Sequence, residues 1–138
     1  MRTMGAVLQR NSLPKKARPT EPYDYADAKA AGHKIAQARR IAVRELEEAT
    51  LAAAEAEWKY HAVKTEKIAE LRANEVGITE IQERIKGEND VNALLYEREK
   101  AKYLVLIAQE KLHSIDGERA TFHRLVEWSM QVERTMPT

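Results

Sequence analysis

The sequence predicts an all-α protein. The expected architecture is a long antiparallel helical hairpin, coiled-coil-like, with a short connecting helix and a basic, proline-rich N-terminal arm. Three observations predict it. Apolar residues recur at alternating three- and four-residue spacings through two long segments. Between those segments, "NEVGITEIQERIKGENDV" (74–91) interrupts the pattern with glycines at 77 and 87. The composition, 33% charged and only 6% aromatic, leaves a thin core. Such a chain suits an elongated bundle or an oligomer in which another copy completes the burial. Two regions follow: a flexible basic arm over 1–22 and a helical hairpin domain over 23–138.

The arm comes first. "NSLPKKARPTEP" carries Pro14, Pro19 and Pro22, with Lys15, Lys16 and Arg18 between them. Each proline lacks an amide donor and pushes its predecessor away from helical angles. The segment therefore reads as extended, and disordered when alone. A short helix over 3–10 is the one element the arm itself could form.

From Asp24 the pattern turns helical and holds to about Asn74. Ile35, Ala38, Ala42, Leu46, Ala49, Ala53, Ala56, Tyr60 and Val63 form the seam, with Leu71 one step off. Asp24 suits the N-cap, and Asp27 the first turn. Gly32 costs about 1 kcal/mol against alanine. Alanine fills much of the seam, which lets helices approach closely but buries little area.

The interruption reads as stop, one to two turns of helix, stop and restart. Gly77 is expected to end the first helix, because glycine accepts left-handed angles. "TEIQ" from Thr79 has capping-box spacing. Ile81 and Ile85 give the short helix an apolar side, Gly87 closes it, and Asn89 or Asp90 is expected to cap the next helix. The pause serves to reverse the chain, so that the flanking helices pack antiparallel.

The last helix is expected from about Val91 to Thr135. Its stripe is Leu94, Ala101, Val105, Ala108, Leu112, Ile115, Phe122, Val126 and Met130, interrupted by Arg98 and Arg119. "SIDG" (114–117) is a weak point, but the stripe continues in phase through it. "YLVLIA" (103–108) is apolar all round, which a helix buried on one face does not need. Either the monomer encloses it on several sides or it contacts another subunit. The leanness of the remaining chain favours the second, with Tyr103, Leu104, Leu106 and Ile107 as the oligomer interface.

Several chemistries are excluded or unsupported. With no cysteine, disulfides, thiol catalysis and common zinc frameworks drop out. His33, His61, His113 and His123 never fall at metal-pair spacing, and read as surface or interface residues. There is no glycine-rich phosphate loop and no GxSxG. Acidic residues sit beside basic ones at helical spacing, as with Glu97 and Lys100, which is the usual solvated face. No enzymatic activity, cofactor, metal or small-molecule substrate is expected. Neither a signal-peptide core nor an apolar span of roughly 18 residues is present, so a soluble, cytoplasmic protein is expected.

Binding signals remain. The net charge of +1 hides a split. Residues 1–44 hold ten Lys/Arg against three Asp/Glu, a balance of +7, and residues 45–138 hold thirteen against nineteen, a balance of −6. The basic side meets either an anionic partner or the acidic body of its own or a neighbouring copy. Lys15, Lys16 and Arg18, then Lys34, Arg39 and Arg40, are candidate phosphate contacts. "WKYHAVKTEK" (58–67) adds Lys59, with Tyr60, Lys64 and Lys67 at i, i+4 and i+7. Cations interleaved with aromatic faces are how sequence-tolerant single-strand binders work. The competing reading puts Trp58 and Tyr60 in the core or a subunit contact.

The order "AEWKYHAVKTEKIAEL", glycine turn, "TEIQERI", then "LLYEREKAKYLVLIAQEKLHSIDGERATFHRLVEWS" resembles small helical proteins of phage replication and recombination modules. It is similar to the UvsY-type recombination mediators. The likeness covers a little over half the chain, rests on pattern, and takes nothing from residues 1–50. It implies an oligomer that binds single-stranded DNA alongside recombination proteins, in a host cytoplasm. Lys59, Lys64 and Lys67 match that family's tyrosine-lysine region only loosely. The functional expectation is a non-enzymatic, oligomeric DNA-handling accessory. The alternatives are a helical protein-binding module that inhibits a host protein, or a structural component of a larger particle.

Overall fold

A computed structural model describes residues 24–135. Three helices follow one another: α1 Tyr25–Ala73, α2 Ile78–Lys86 and α3 Asn89–Thr135. No strand occurs among the described residues, and α1 and α3 pack against each other as a helical hairpin. None of these helices is long and apolar enough to cross a membrane. The proline-rich arm and its possible helix over 3–10 lie outside the described residues.

α1 starts where its sequence says it should. The Asp24 carbonyl accepts the Ala28 N–H at 2.9 Å, and Asp27 in the first turn complements the helix dipole. Its end differs from expectation. The left-handed residue is Glu75, with φ 61°, and not Gly77. The Glu75 N–H donates to the Arg72 carbonyl at 3.0 Å, and the Val76 N–H to the Leu71 carbonyl at 3.1 Å. That pair of bonds is a Schellman closure, and Leu71 and Val76 on either side of it both pack on the core.

Because the closure is complete at Val76, the next helix begins early. Gly77 is extended at φ −66°, ψ 152° and stands at the N-cap of α2, where no side chain caps the helix. Thr79 falls inside the first turn, so the expected capping box does not form. Gly87 ends α2 in the right-handed region; its N–H donates to the Arg84 carbonyl at 3.1 Å, and the Glu88 N–H to the Ile85 carbonyl at 3.2 Å. Glu88, rather than Asn89 or Asp90, offers the first carbonyl of α3, to the Asn92 N–H at 3.0 Å. The Asn92 side chain ties the turn back by donating to the Lys86 carbonyl at 2.9 Å.

The helices contribute to two compact units: Ile41–Leu112, and Met1–Arg40 with His113–Thr138. In Ile41–Leu112 the core is Tyr60, Ile81, Ile85 and Val91, wrapped by Val63, Ile68, Leu71, Val76, Leu94 and Leu95. α2 matters here because Ile81 and Ile85, one turn apart, cover the space between the long helices. Ala42 and Ala108 are also buried in this unit, and Lys111 Nζ reaches Glu45 Oε2 at 2.7 Å.

In the other unit, Gly32 of α1 lies against the Phe122 ring; a Cβ there would stand 3.4 Å from Cε2. Arg39 Nε donates to Asp116 Oδ1 at 2.7 Å. α3 runs unbroken through "SIDG". Every predicted seam residue of α1 is buried or half-buried. On α3 the exception is Met130, which is exposed. It borders a groove shared with Tyr25, Ala28 and Lys29 of α1.

Glu75 supplies the first test. A side chain at positive φ is strained, and glycine removes the strain. Glu75→Gly should stabilise the fold by about 1 kcal/mol in urea unfolding, whereas Gly77→Ala, at an ordinary extended angle, should gain no such increment.

Candidate nucleic-acid interface

Sequence reading nominated two groups of described residues, and the structure treats them differently. The first group lies on α1 in the unit of Met1–Arg40 and His113–Thr138. Lys34 and Arg40 are exposed and Arg39 is half-buried. Arg39 and Arg40 line one groove of about 320 Å³ together with Arg119 and His123 of α3, beside Phe122 and Ile35. One carboxylate, Asp116, pairs with Arg39. Arg40 and Arg119 have no ion pair among the described residues. Three guanidinium groups therefore converge against a single neutralising charge. Guanidinium forks suit phosphate oxygens and stack on flat rings.

Arg119 and His123 were missed as site residues, and Arg119 was read as an interruption of the seam. Its spacing to Phe122 and His123 was visible, but its nearness to Arg39 and Arg40 depends on how α3 aligns with α1, which no local pattern specifies.

In the second group, in Ile41–Leu112, the structure takes Tyr60 out of reach of a ligand. Tyr60 is only 7% exposed and belongs to the core. The Arg98 guanidinium carbon lies 4.9 Å from its ring centroid and Lys64 Nζ 5.6 Å from it. A ring buried and flanked by cations in this way is not a platform for a base. Lys59 pairs with Glu55 at 3.2 Å and Lys67 reaches Glu70 at 3.9 Å. Both are i,i+4 or i,i+3 contacts at the helix surface, of small energetic value. Trp58, by contrast, is exposed. Lys15, Lys16 and Arg18 lie outside the described residues.

Arg98, the other interruption of the α3 stripe, has a structural explanation. It reaches across to Glu57, with Nε 2.9 Å from Oε2. Both of these atoms are buried, and they meet outside hydrogen-bond alignment, so the pair is an electrostatic contact. Lys102 Nζ approaches the same oxygen at 3.7 Å, and His61 Nε2 bonds Oε1 at 2.9 Å. The His61 hydrogen bond holds the Glu57 carboxyl below its ordinary range, helped by the charges of Arg98 and Lys102 and opposed by partial desolvation.

The expected oligomer interface is exposed. Tyr103, Leu104, Leu106 and Ile107 all face solvent in this structure, and Tyr96 joins them. At 100° per residue, Tyr96, Tyr103 and Ile107 form one stripe on the side of α3 turned away from Leu94, Ala101, Val105 and Ala108. α3 is thus apolar on two opposite sides, and α1 covers one.

Among the described residues, no three His, Asp or Glu side chains gather in a metal-ligating group. Comparison with family models, curated proteins and solved structures finds no match.

The Glu57 cluster generates a pH prediction. A carboxyl whose folded pKa lies below its unfolded value of 4.5 stabilises the fold above that value. The contribution is lost as pH falls through the lowered folded value. The Tm followed by circular dichroism should hold steady from about pH 7 to 5 and fall below about pH 4.5. Glu57→Gln should lower the Tm at neutral pH and shrink that acid step; an unchanged step would assign it to other carboxylates.

Proposed function

We propose that the chain is a non-enzymatic, oligomeric DNA-handling accessory that binds single strands, of the kind used in phage-type recombination or replication. One observation carries this reading. Arg39, Arg40 and Arg119 line a single groove, and only Arg39 of the three is paired with a carboxylate, Asp116. Charge segregation supports it. Over the full sequence, the unit that holds the groove has twelve Lys/Arg and seven Asp/Glu, a balance of +5. Ile41–Leu112 has eleven and fifteen, a balance of −4. A polyanion is drawn to the first unit and repelled by the second. Phe122 and His123 at the groove add flat surfaces to the cations, a combination that tolerates any base.

The test is affinity for a labelled single-stranded oligonucleotide across a salt series. Binding should weaken steeply with salt, and the log–log slope should fall by about 0.7 for each phosphate contact removed. Arg40→Glu with Arg119→Glu should weaken binding at least about tenfold at low salt and leave the helical circular dichroism unchanged. Tyr60→Phe should not alter affinity. Undetectable binding at low salt would end the proposal.

The uncovered side of α3 favours a second reading, a helical module that docks on a protein. Under the first reading, that same side joins copies of this chain. Sedimentation separates the two. Self-association that is lost in Tyr103→Glu with Ile107→Glu supports copy-to-copy packing, while a wild-type monomer that keeps this side free supports a foreign protein partner.

A further inference from the structure

We infer that the uncovered side of α3 is a two-fold interface, on which a second copy of this chain lays its own α3 antiparallel. The inference rests on the reading above that copies join through this side, and it adds their direction and register. The stripe there is not purely apolar. Tyr96, Lys100, Tyr103, Ile107 and Glu110 follow one another at alternating spacings of four and three residues, which is the seam of a two-helix packing. All five are exposed. Charges beside the stripe find partners within the chain. Glu99 approaches Arg98 at 3.7 Å, Lys102 approaches Glu57 at 3.7 Å, and Lys111 reaches Glu45 at 2.7 Å. Lys100 and Glu110 have no ion pair among the described residues. One unpaired cation and one unpaired anion thus bracket Tyr103 and Ile107.

A seam with opposite charges at its two ends is complementary to itself only when reversed. In a parallel pair in register, each seam residue meets its own copy. Lys100 would then face Lys100, and Glu110 would face Glu110. Turned antiparallel about a centre between Tyr103 and Ile107, Lys100 of each chain comes level with Glu110 of the other, and Tyr103 with Ile107. Each pair occurs twice, as a two-fold axis requires. Leu104 and Leu106, both exposed, lie on the two flanks of the seam beside that centre, and each comes opposite its own copy. The like charges nearest the new ion pairs are Glu99 and Lys111, which Arg98 and Glu45 of their own chain already neutralise. A foreign protein would have to reproduce this order of cation, aromatic, aliphatic and anion in reverse, whereas a second copy has it by symmetry.

Charge reversal followed by sedimentation tests the pairing. Lys100→Glu alone and Glu110→Lys alone each set like charges level with one another, and each should weaken self-association at least about tenfold. The two substitutions together in one chain should restore it. Both side chains are exposed and unpaired, so the helical circular dichroism should not change. Engineered thiols test the register, with no native cysteine to interfere. In the antiparallel pair the two copies of position 100 stand about 15 Å apart along the seam, beyond the reach of a disulfide. A mixture of the Lys100→Cys chain and the Glu110→Cys chain should therefore cross-link at least about tenfold faster than either chain alone. Disulfides that form as readily between two Lys100→Cys chains would overturn the inference, as would charge reversals that leave the dimer as tight as wild type. In both of those cases self-association through this side would stand. A wild-type chain that stays monomeric would overturn the pairing together with the oligomeric part of the reading above. DNA handling is decided separately, by the oligonucleotide titration.

Discussion

The constraint behind this structure is how little apolar area an alanine seam can bury. Ala38, Ala42, Ala49, Ala53 and Ala56 let α1 and α3 approach closely, but each removes only a methyl group from water. Hydrophobic stabilisation is therefore concentrated where large side chains meet. In Ile41–Leu112 that place is under α2, where Ile81 and Ile85 close over Tyr60 and Val91. The short helix is small in length and large in consequence, since without it Tyr60 and Val91 would lose their cover.

The same leanness explains why apolar surface remains outside. α3 carries one apolar side toward α1 and another away from it, and a two-helix arrangement can cover only one. In the other unit, Phe122, Val126 and Met130 border a groove. Charge follows a separate logic. Acidic excess lies in Ile41–Leu112 and basic excess in the unit containing the arm. Within the acidic unit, Glu57 collects Arg98, Lys102 and His61 around one carboxylate.

Most of the fold was legible. Periodicity placed α1 within a residue at each end, and it placed α3 within two residues at its start, because long amphipathic helices announce themselves through many repeated positions. The bend was legible in outline only. Gly77 looked like the stop, but the backbone closes through Glu75, whose cost is met by two hydrogen bonds and by packing of Leu71 and Val76 on the core. No local rule reads glutamate as left-handed. The residues lining the guanidinium groove were half legible. Arg39 and Arg40 were found from charge density along α1, while Arg119 and His123 needed the pairing of helices distant in sequence. Tyr60 was misjudged as a candidate because a tyrosine beside lysines looks alike whether its ring points inward or outward.

An alanine seam also carries little information about alignment. Where one methyl resembles the next, a helix could slide by a turn with small loss of packing, and unique registration has to come from polar partners that fit one way only. Within Ile41–Leu112, Glu57 with Arg98 and Glu45 with Lys111 do that. In the other unit it is Arg39 with Asp116. Of these, the largely exposed pairs Glu45–Lys111 and Arg39–Asp116 contribute little to stability themselves. Together the contacts act as the teeth of a vernier, and a chain stripped of them would keep its helices while losing the one setting at which they belong.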